Sequence, residues 1–261
     1  MALYGVLGDI HGNREALNAA LATFDRLEVS RLLCVGDLVG YNADPDDCVA
    51  MLRERGATCI AGNHDLIGTG RLGFERCSNK AMHSLKRTRR TLAPETARFL
   101  RGLPSHHVIE GKVLLTHGGV RDVQQYMTRD KHVMENVQYL RHDFPGVHVC
   151  FFGHTHEQRI FAVAGDDVEE PYGEAIMQGR EVFLGADRDY FVNPGSVDAS
   201  RKREHKLAEV AVFDSDRMAL RFFKLPYADR VTEARALEGG YRIEAWRDRL
   251  YDWRRRLAPF A

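Results

Sequence analysis

The sequence predicts an α/β fold: mixed sheets packed in three or four layers, with helices outside. Three observations predict it. From Leu3 to Ala61, strand-type and helix-type patterns alternate. The second half supplies a run of apolar segments of strand length. Five short blocks of aspartate, histidine and asparagine punctuate the chain, four of them directly after an apolar run.

The elements follow in order. Leu3-Leu7 is a buried strand that turns at Gly8. Asn13 to Leu27 places Ala16, Leu17, Ala20, Leu21, Phe24 and Leu27 at helical spacing. Arg31-Val35 is a second strand. Asp44-Pro45 opens a helix, Asp44 as its cap and Pro45 in its first turn, and Gly56 closes it. Thr58-Ala61 completes a strand-helix-strand-helix-strand series, the pattern of a parallel sheet with covering helices. Phe74 to Leu103 reads as two helices split near Pro94. Val108-Ile109 and Val113-Thr116 pair across the turn Glu110-Gly111-Lys112. Lys131 to His142 is helical. Val147-Phe152 and Arg159-Val163 are strands, and Gly165 to Arg180 is an irregular surface excursion. Tyr190-Val192, Ala208-Phe213 and Met218-Phe223 are later strands. Beyond Pro226 the chain is helical, with Ile243, Trp246, Leu250, Trp253 and Leu257 as one apolar stripe and the two tryptophans as core anchors.

The chain is read as one domain over residues 1–261, with a helical cap or insertion at about 74–103 and C-terminal helices at about 229–258. An apolar content of 44% is enough for a large core, and 37 basic residues balance 37 acidic ones. A neutral chain has no global pull towards nucleic acid or membrane. The five cysteines form no CxxC pair and mostly sit in or near strand-like runs, which fits a reduced, cytoplasmic protein. The N-terminus enters a strand with no secretory pattern, and no apolar stretch approaches the roughly 18 residues of a bilayer span.

The five blocks are Asp9-Ile10-His11, Gly36-Asp37, Gly62-Asn63-His64-Asp65, Thr116-His117-Gly118 and Gly153-His154-Thr155-His156. Singly, Asp9-Ile10-His11 reads better as turn chemistry than as a metal site, since Asp and Gly are ordinary turn residues, and Gly36-Asp37 is weaker still. The Gly62 block is stronger, and His154 and His156, two apart beyond a buried strand, suit a metal better than a core. Together they point to metal. Strand ends on one edge of a sheet converge, so oxygen and nitrogen donors delivered there can surround an ion that no single segment could hold.

In this order the blocks resemble the signature of the calcineurin-like metallophosphoesterases, from about Leu3 to Phe213. Val192-Asn193-Pro194-Gly195-Ser196-Val197 is similar to a further motif of the small bacterial phosphodiesterase-like branch. The resemblance implies an α-β-β-α sandwich with a dinuclear metal site at the strand ends. It implies Asp9, His11 and His156 as ligands of one ion, Asn63, His117 and His154 of the second, and Asp37 as the bridging carboxylate. His64 would approach the leaving oxygen as catalytic residue, and Asn63 and Arg201 would contact substrate. Attack by a hydroxide bridging the two ions is the implied mechanism. Mixed imidazole, carboxylate and amide donors favour Mn, Fe, Zn, Ni or Co over Mg or Ca, with manganese foremost.

One departure directs the substrate. Phosphoprotein phosphatases and diadenosine tetraphosphatases of this superfamily usually read Gly-Asp-x-Val-Asp-Arg-Gly. Here Gly40 stands in place of the acid that would orient the histidine, and Tyr41 in place of the arginine that would hold a phosphate. Hydrolysis of small phosphodiesters is therefore favoured. The alternatives are a phosphomonoesterase or phosphoprotein phosphatase, a nuclease, and a non-catalytic protein-interaction scaffold on the same fold. Neutral charge disfavours a nucleic-acid partner, and no membrane partner is expected. The sequence sets neither oligomeric state nor regulation.

Several features keep two readings. The basic run Lys86 to Arg90 either lines an anionic cleft or forms a solvated helix face. Gly118-Gly119 either lets backbone pass near the metals or makes a plain turn. Asn193-Pro194-Gly195-Ser196 either buttresses the site loops or is a structural turn.

Overall fold

A computed structural model describes residues 3–199 and 206–257. In chain order its elements are β1 (Leu3–Leu7), α1 (Arg14–Arg26), β2 (Arg31–Cys34), α2 (Pro45–Glu54), β3 (Thr58–Cys59), α3 (Asn63–Gly68), α4 (Asn79–Thr91), α5 (Pro94–Gly102), β4 (His107–Ile109) and β5 (Val113–Leu115). There follow α6 (Asp130–Asp143), β6 (Val149–Phe151), β7 (Gln158–Ala164), β8 (Asp167–Glu169), α7 (Gly173–Met177), β9 (Val182–Phe183), β10 (Asp189–Pro194), β11 (Leu207–Asp214), β12 (Ala219–Pro226), α8 (Asp229–Glu238) and α9 (Ala245–Leu257).

These strands form two six-stranded mixed sheets, ordered β3-β2-β1-β11-β12-β9 and β4-β5-β6-β10-β7-β8. β1, β2 and β3 run parallel in the first sheet, and β5, β6 and β10 in the second. Strand alternation sends successive side chains to opposite faces. Val6, Leu33, Ile60, Phe151, Val192 and Phe213 meet between the sheets. Leu7 and Leu32 face outward onto Leu17, Phe24, Val49 and Leu52 of α1 and α2. Leu114, Cys150 and Phe161 face Val133, Val137 and Leu140 of α6. The layers are therefore α-β-β-α, four rather than three. Each fully buried Leu or Phe contributes about 1.5–3 kcal/mol, so three stacked apolar interfaces hold the strand ends rigidly.

Several expectations are corrected. Gly62-Asn63-His64-Asp65 is not a loop: Gly62 caps α3, because the Asp65 carboxylate folds back to accept from the Gly62 N–H at 2.9 Å. Residues 165–180 are not irregular, since β8 extends the second sheet and α7 follows. Asp44 stands at the N-cap of α2 without bonding its N–H groups, its carboxylate being turned towards Arg235 at 3.3 Å. Trp246 and Trp253 are 56% and 57% exposed and anchor no core. What holds α9 to α4 is polar: Asn79 donates to Asp248 and Asp252 at 2.9 and 2.7 Å, and Lys86 sits over the Tyr251 ring. Among the described residues no helix is long and apolar enough to cross a membrane.

Candidate metal centre

All five polar blocks lie just beyond strands that run parallel. Asp9 follows β1, Asp37 follows β2, Asn63 follows β3, His117 follows β5 and His154 follows β6. Three blocks leave one sheet and two the other, so the site spans the mouth of the sandwich, where strand ends of both sheets converge.

The side chains gather in three overlapping groups of potential ligand atoms: Asp9, His11 and His156; His11, Asp37 and His64; Asp37, His117 and His154. Within each group the atoms lie within 4.8 Å of one another. Nε2 of His156 lies 3.2 Å from Asp9 Oδ1 and 3.2 Å from Nε2 of His11. Nε2 of His117 lies 3.2 Å from Asp37 Oδ2 and 3.0 Å from Asn63 Oδ1. Asp37 touches both sets, since its Oδ2 is also 3.8 Å from His11 Nε2. Asp9, His11, Asp37 and His117 are essentially inaccessible to solvent, while Asn63, His64 and His154 reach the cleft.

The donor chemistry fits divalent cations. His117 Nδ1 donates to the Val35 carbonyl at 2.8 Å, and His11 Nδ1 to the Val39 carbonyl at 3.2 Å. A carbonyl only accepts, so each ring keeps its Nδ1 proton and turns Nε2 inward, the orientation typical of metal-binding histidines. Converging lone pairs of nitrogen and carboxylate oxygen repel unless a proton or cation lies between them.

Holding these groups together strains the backbone. Asp9, His11, Asp37, His154 and His156 all have left-handed φ, between 49° and 68°. Such residues cost of order 1–3 kcal/mol each and collect at functional sites. Gly62 is required by crowding: a Cβ there would stand 2.1 Å from Asp37 Oδ1.

The surrounding residues fix the ligand loops. Asp65, fully buried, accepts from Leu38 N–H at 2.9 Å and Val39 N–H at 3.2 Å, tying the Asp37 loop to α3. Burial and the nearby Asp37 charge push its carboxyl up to about 7. Asn193 donates to the Gly153 carbonyl at 3.0 Å and to Thr155 Oγ1 at 2.9 Å. The Ser196 hydroxyl lies between the Asp198 carbonyl at 2.7 Å and the Asp9 carbonyl at 3.0 Å, and the Asp198 N–H donates to the Asp9 carbonyl at 2.9 Å. Asn193 to Ser196 is therefore the buttress of two site loops rather than a plain turn. Gly118 and Gly119 are explained by crowding: a Cβ on Gly118 would strike the Val123 carbonyl, and one on Gly119 the Gln125 side chain.

Charge couples the ionisable groups. Burial alone would lower the His117 pKa, but Asp37, and then Asp9, outweigh it and hold it at about 9. Burial disfavours the Asp37 carboxylate too, yet His117, His64 and His11 keep it well below the usual range. Burial dominates at Asp9 and raises it.

The cluster opens into a cleft of about 930 Å³ lined by Tyr41, Arg76, Lys80, Tyr126, Lys206 and Arg242 among others. Tyr126 lays its ring 4.0 Å from that of His154. Residues 86–90 do not line it: Lys86 and Arg89 cover the Phe74 ring, and Arg89 donates to the Ile67 carbonyl. Arg201 lies outside the described residues. Sequence reasoning missed Asp65, Tyr126 and Arg242 as parts of the site. Only Asp65 left a signal, as an acid three residues after a glycine that opens a helix.

A protein-family model described as the calcineurin-like phosphoesterase superfamily domain matches residues 2–218. The chain belongs to this superfamily. Among solved structures, it is similar to a metallophosphoesterase from Sphaerobacter thermophilus, at 26% identity and a TM-score of 0.74 over 95% of this chain and 96% of that one. A hypothetical protein from Pyrococcus horikoshii shares the fold at 17% identity and a TM-score of 0.68, over 96% and 97% of the two chains. An uncharacterised protein of Methanocaldococcus jannaschii is 26% identical over 231 residues, 87% of this chain and 88% of its own. As a calcineurin-like phosphoesterase the chain has a family that uses divalent metals, and its His and Asp clusters are able to bind them. The family match ends before α8, which supplies Glu233 to the cleft, and before the turn that follows it, which supplies Tyr241 and Arg242.

Proposed function

We propose that this calcineurin-like phosphoesterase is a dinuclear metal-dependent hydrolase of small phosphodiesters. The observation that carries the reading is the sharing of one buried carboxylate, Asp37, between two groups of converging donors. Asp9, His11 and His156 would hold one ion, and Asn63, His117 and His154 the other, with Asp37 between them. Bound divalent ions, with manganese foremost, would supply Lewis-acid charge stabilisation and make water acidic enough to react at neutral pH.

The chain's own groups do the rest. His64 sits at the cleft floor beside Asn63 and His154, its ring packed against His11 and Tyr41 at centroid distances of 4.6 and 4.8 Å. It would deliver a proton to the departing alkoxide oxygen, the step that matters most for a poor leaving group. Asn63, on the same floor, would also orient the ester, a part shared in the sequence reading with Arg201.

Diesters are favoured by charge. A monoester dianion needs further cationic donors at its terminal oxygens, and the Gly40-Tyr41-Asn42 loop provides none. Of the four cations among the described residues that line the cleft, two are committed, Arg76 to Asp122 at 2.8 Å and Arg242 to Glu233 at 2.7 Å, which leaves Lys80 and Lys206. The same pairing reduces the positive charge available to follow a nucleic-acid backbone. The test is a side-by-side assay of the manganese-loaded protein on bis(p-nitrophenyl) phosphate and p-nitrophenyl phosphate. A kcat/KM at least about tenfold higher for the diester, or about 1.4 kcal/mol, is expected. A preference for the monoester would overturn the substrate assignment.

A further inference from the structure

We infer that Arg242, from the C-terminal segment beyond the family match, is a positioning residue for His64. It acts through the Tyr41–Asn42 loop and makes the segment after β12 a working part of the site. The inference rests on the reading of His64 as the proton donor.

Arg242 makes contacts in two directions. Its Nη1 donates to the Tyr41 carbonyl at 2.7 Å and its Nη2 to Asn42 Oδ1 at 3.0 Å. On the other side Nε and Nη2 meet the Glu233 carboxylate at 2.9 and 2.7 Å. An exposed arginine–glutamate pair is by itself of small consequence. Here the guanidinium fork spans from α8 to a loop that touches the reacting centre.

That loop has reason to need holding. Gly40 and Tyr41 are consecutive left-handed residues, with φ of 105° and 39°. Tyr41, which has a Cβ, is strained there. The loop also carries the packing of His64. The Tyr41 ring stands 4.8 Å from that of His64 and 4.7 Å from that of His11, and a Cβ on Gly40 would come within 2.3 Å of His64 Nδ1. Asn42 donates from its backbone N–H and side chain to the His11 carbonyl, at 3.0 and 3.1 Å. A shift of this loop therefore moves the surface against which the His64 imidazole rests. The orienting acid of the phosphatase pattern has no space beside His64, and the hold comes instead from across the cleft.

The C-terminal segment is anchored well enough to provide that hold. Thr232 Oγ1 donates to Asn13 Oδ1 at 2.9 Å, and Arg235 pairs with Glu15 at 3.1 Å and Asp44 at 3.3 Å. His83 Nε2 donates to the Gly240 carbonyl at 3.1 Å, and the Tyr241 and Thr91 hydroxyls are 3.0 Å apart. Arg242 thus projects from a turn fixed to both α1 and α4.

The test compares wild type, Arg242→Ala and Arg242→Lys on phosphodiesters whose leaving groups run from nitrophenols to alkyl alcohols. A misplaced proton donor matters little when the leaving group needs no proton and much when it does. The expected loss in kcat is small for nitrophenol esters and about 10- to 100-fold for alkyl esters. KM and metal content should stay near wild type, and lysine should lose less than alanine. No loss, or the same loss for every leaving group, overturns the proposal. If Arg242→Ala does not fold, Glu233→Gln, which loosens the fork without removing it, should show the same trend, and its absence is equally fatal. The His64 imidazole resonances, identified by their disappearance in His64→Ala, give a readout independent of turnover. If they are unmoved in Arg242→Ala, the clamp is wrong even should the wild type hydrolyse nothing. An inactive wild type whose His64 signals do move in the variant would instead keep the clamp and defeat the phosphoesterase reading.

Discussion

Gly40 and His64 are in contact along a face where neither can grow: a Cβ built on Gly40 would stand 2.3 Å from Nδ1 of the histidine. Gly40→Ala would also force a side chain into φ of 105°. The substitution is expected to displace the imidazole while leaving the Asp9, His117 and His156 groups in place. Turnover should fall about 100-fold with metal content unchanged. Steady-state kinetics alongside elemental analysis reads both, and joint loss of metal would show that Gly40 serves the ligand loops instead.

His64→Ala tests the proton donor directly. The ring lines the cleft, whereas Asp9, His11, Asp37 and His117 lie beneath it. A lowering of kcat by about 10²–10⁴-fold is expected, the usual contribution of general acid catalysis, with both ions retained. Loss of an ion would make His64 a ligand, a role that its closeness to His11 and Asp37 would then explain.

Asp65→Ala removes an acceptor from three buried N–H groups, those of Gly62, Leu38 and Val39. Leaving them unmet should cost about 3 kcal/mol or more of stability. It should also weaken metal binding about 10- to 100-fold, since the residue orients both the Asp37 loop and α3. Urea denaturation and metal titration would measure the two effects, and a neutral result in both would show that water replaces the carboxylate.

Metal uptake should be acid-sensitive through His117. Its pKa in the metal-free protein is raised to about 9, so the ring is protonated at neutral pH. The Nδ1 proton is committed to Val35, and the extra proton sits on Nε2 between Asp37 and Asn63. A cation at Nε2 must displace it. From this group alone apparent affinity should fall about tenfold per pH unit below 9. Asp37, held well below the usual carboxylate range, stays ionised through that window. The sign for folding is opposite. A histidine pKa raised by the fold stabilises the metal-free protein fully below pH about 6.5 and loses that stabilisation as pH rises through about 9. Calorimetric titration in buffers of different ionisation enthalpy would count the proton released. Binding independent of pH between 6 and 8 would contradict the assignment.

The sequence by itself determined most of the strands and which polar blocks follow them. Apolar runs of strand length, each followed by Asp, His or Asn, reveal the ligand blocks because a strand's direction delivers whatever follows it to the same edge. Leu3-Leu7, Arg31-Val35 and Val113-Thr116 were legible for that reason. Contacts that local pattern does not encode were decided only by the tertiary structure. The left-handed φ of Asp9, His11, Asp37, His154 and His156 is imposed by packing around them; Asp and His enter that region more readily than most residues, but residue type alone does not say which of them do. α3 starts on an Asp65 whose partners lie 26 and 27 residues away in sequence, besides its own cap. Trp246 and Trp253 carry the spacing of a buried stripe, yet polar bonds from Asn79 dock that helix and leave the rings exposed. Arg242 reaches a loop about 200 residues earlier, a pairing that no periodicity can announce, because hydrogen bonds between distant segments depend on where two rigid bodies come to rest.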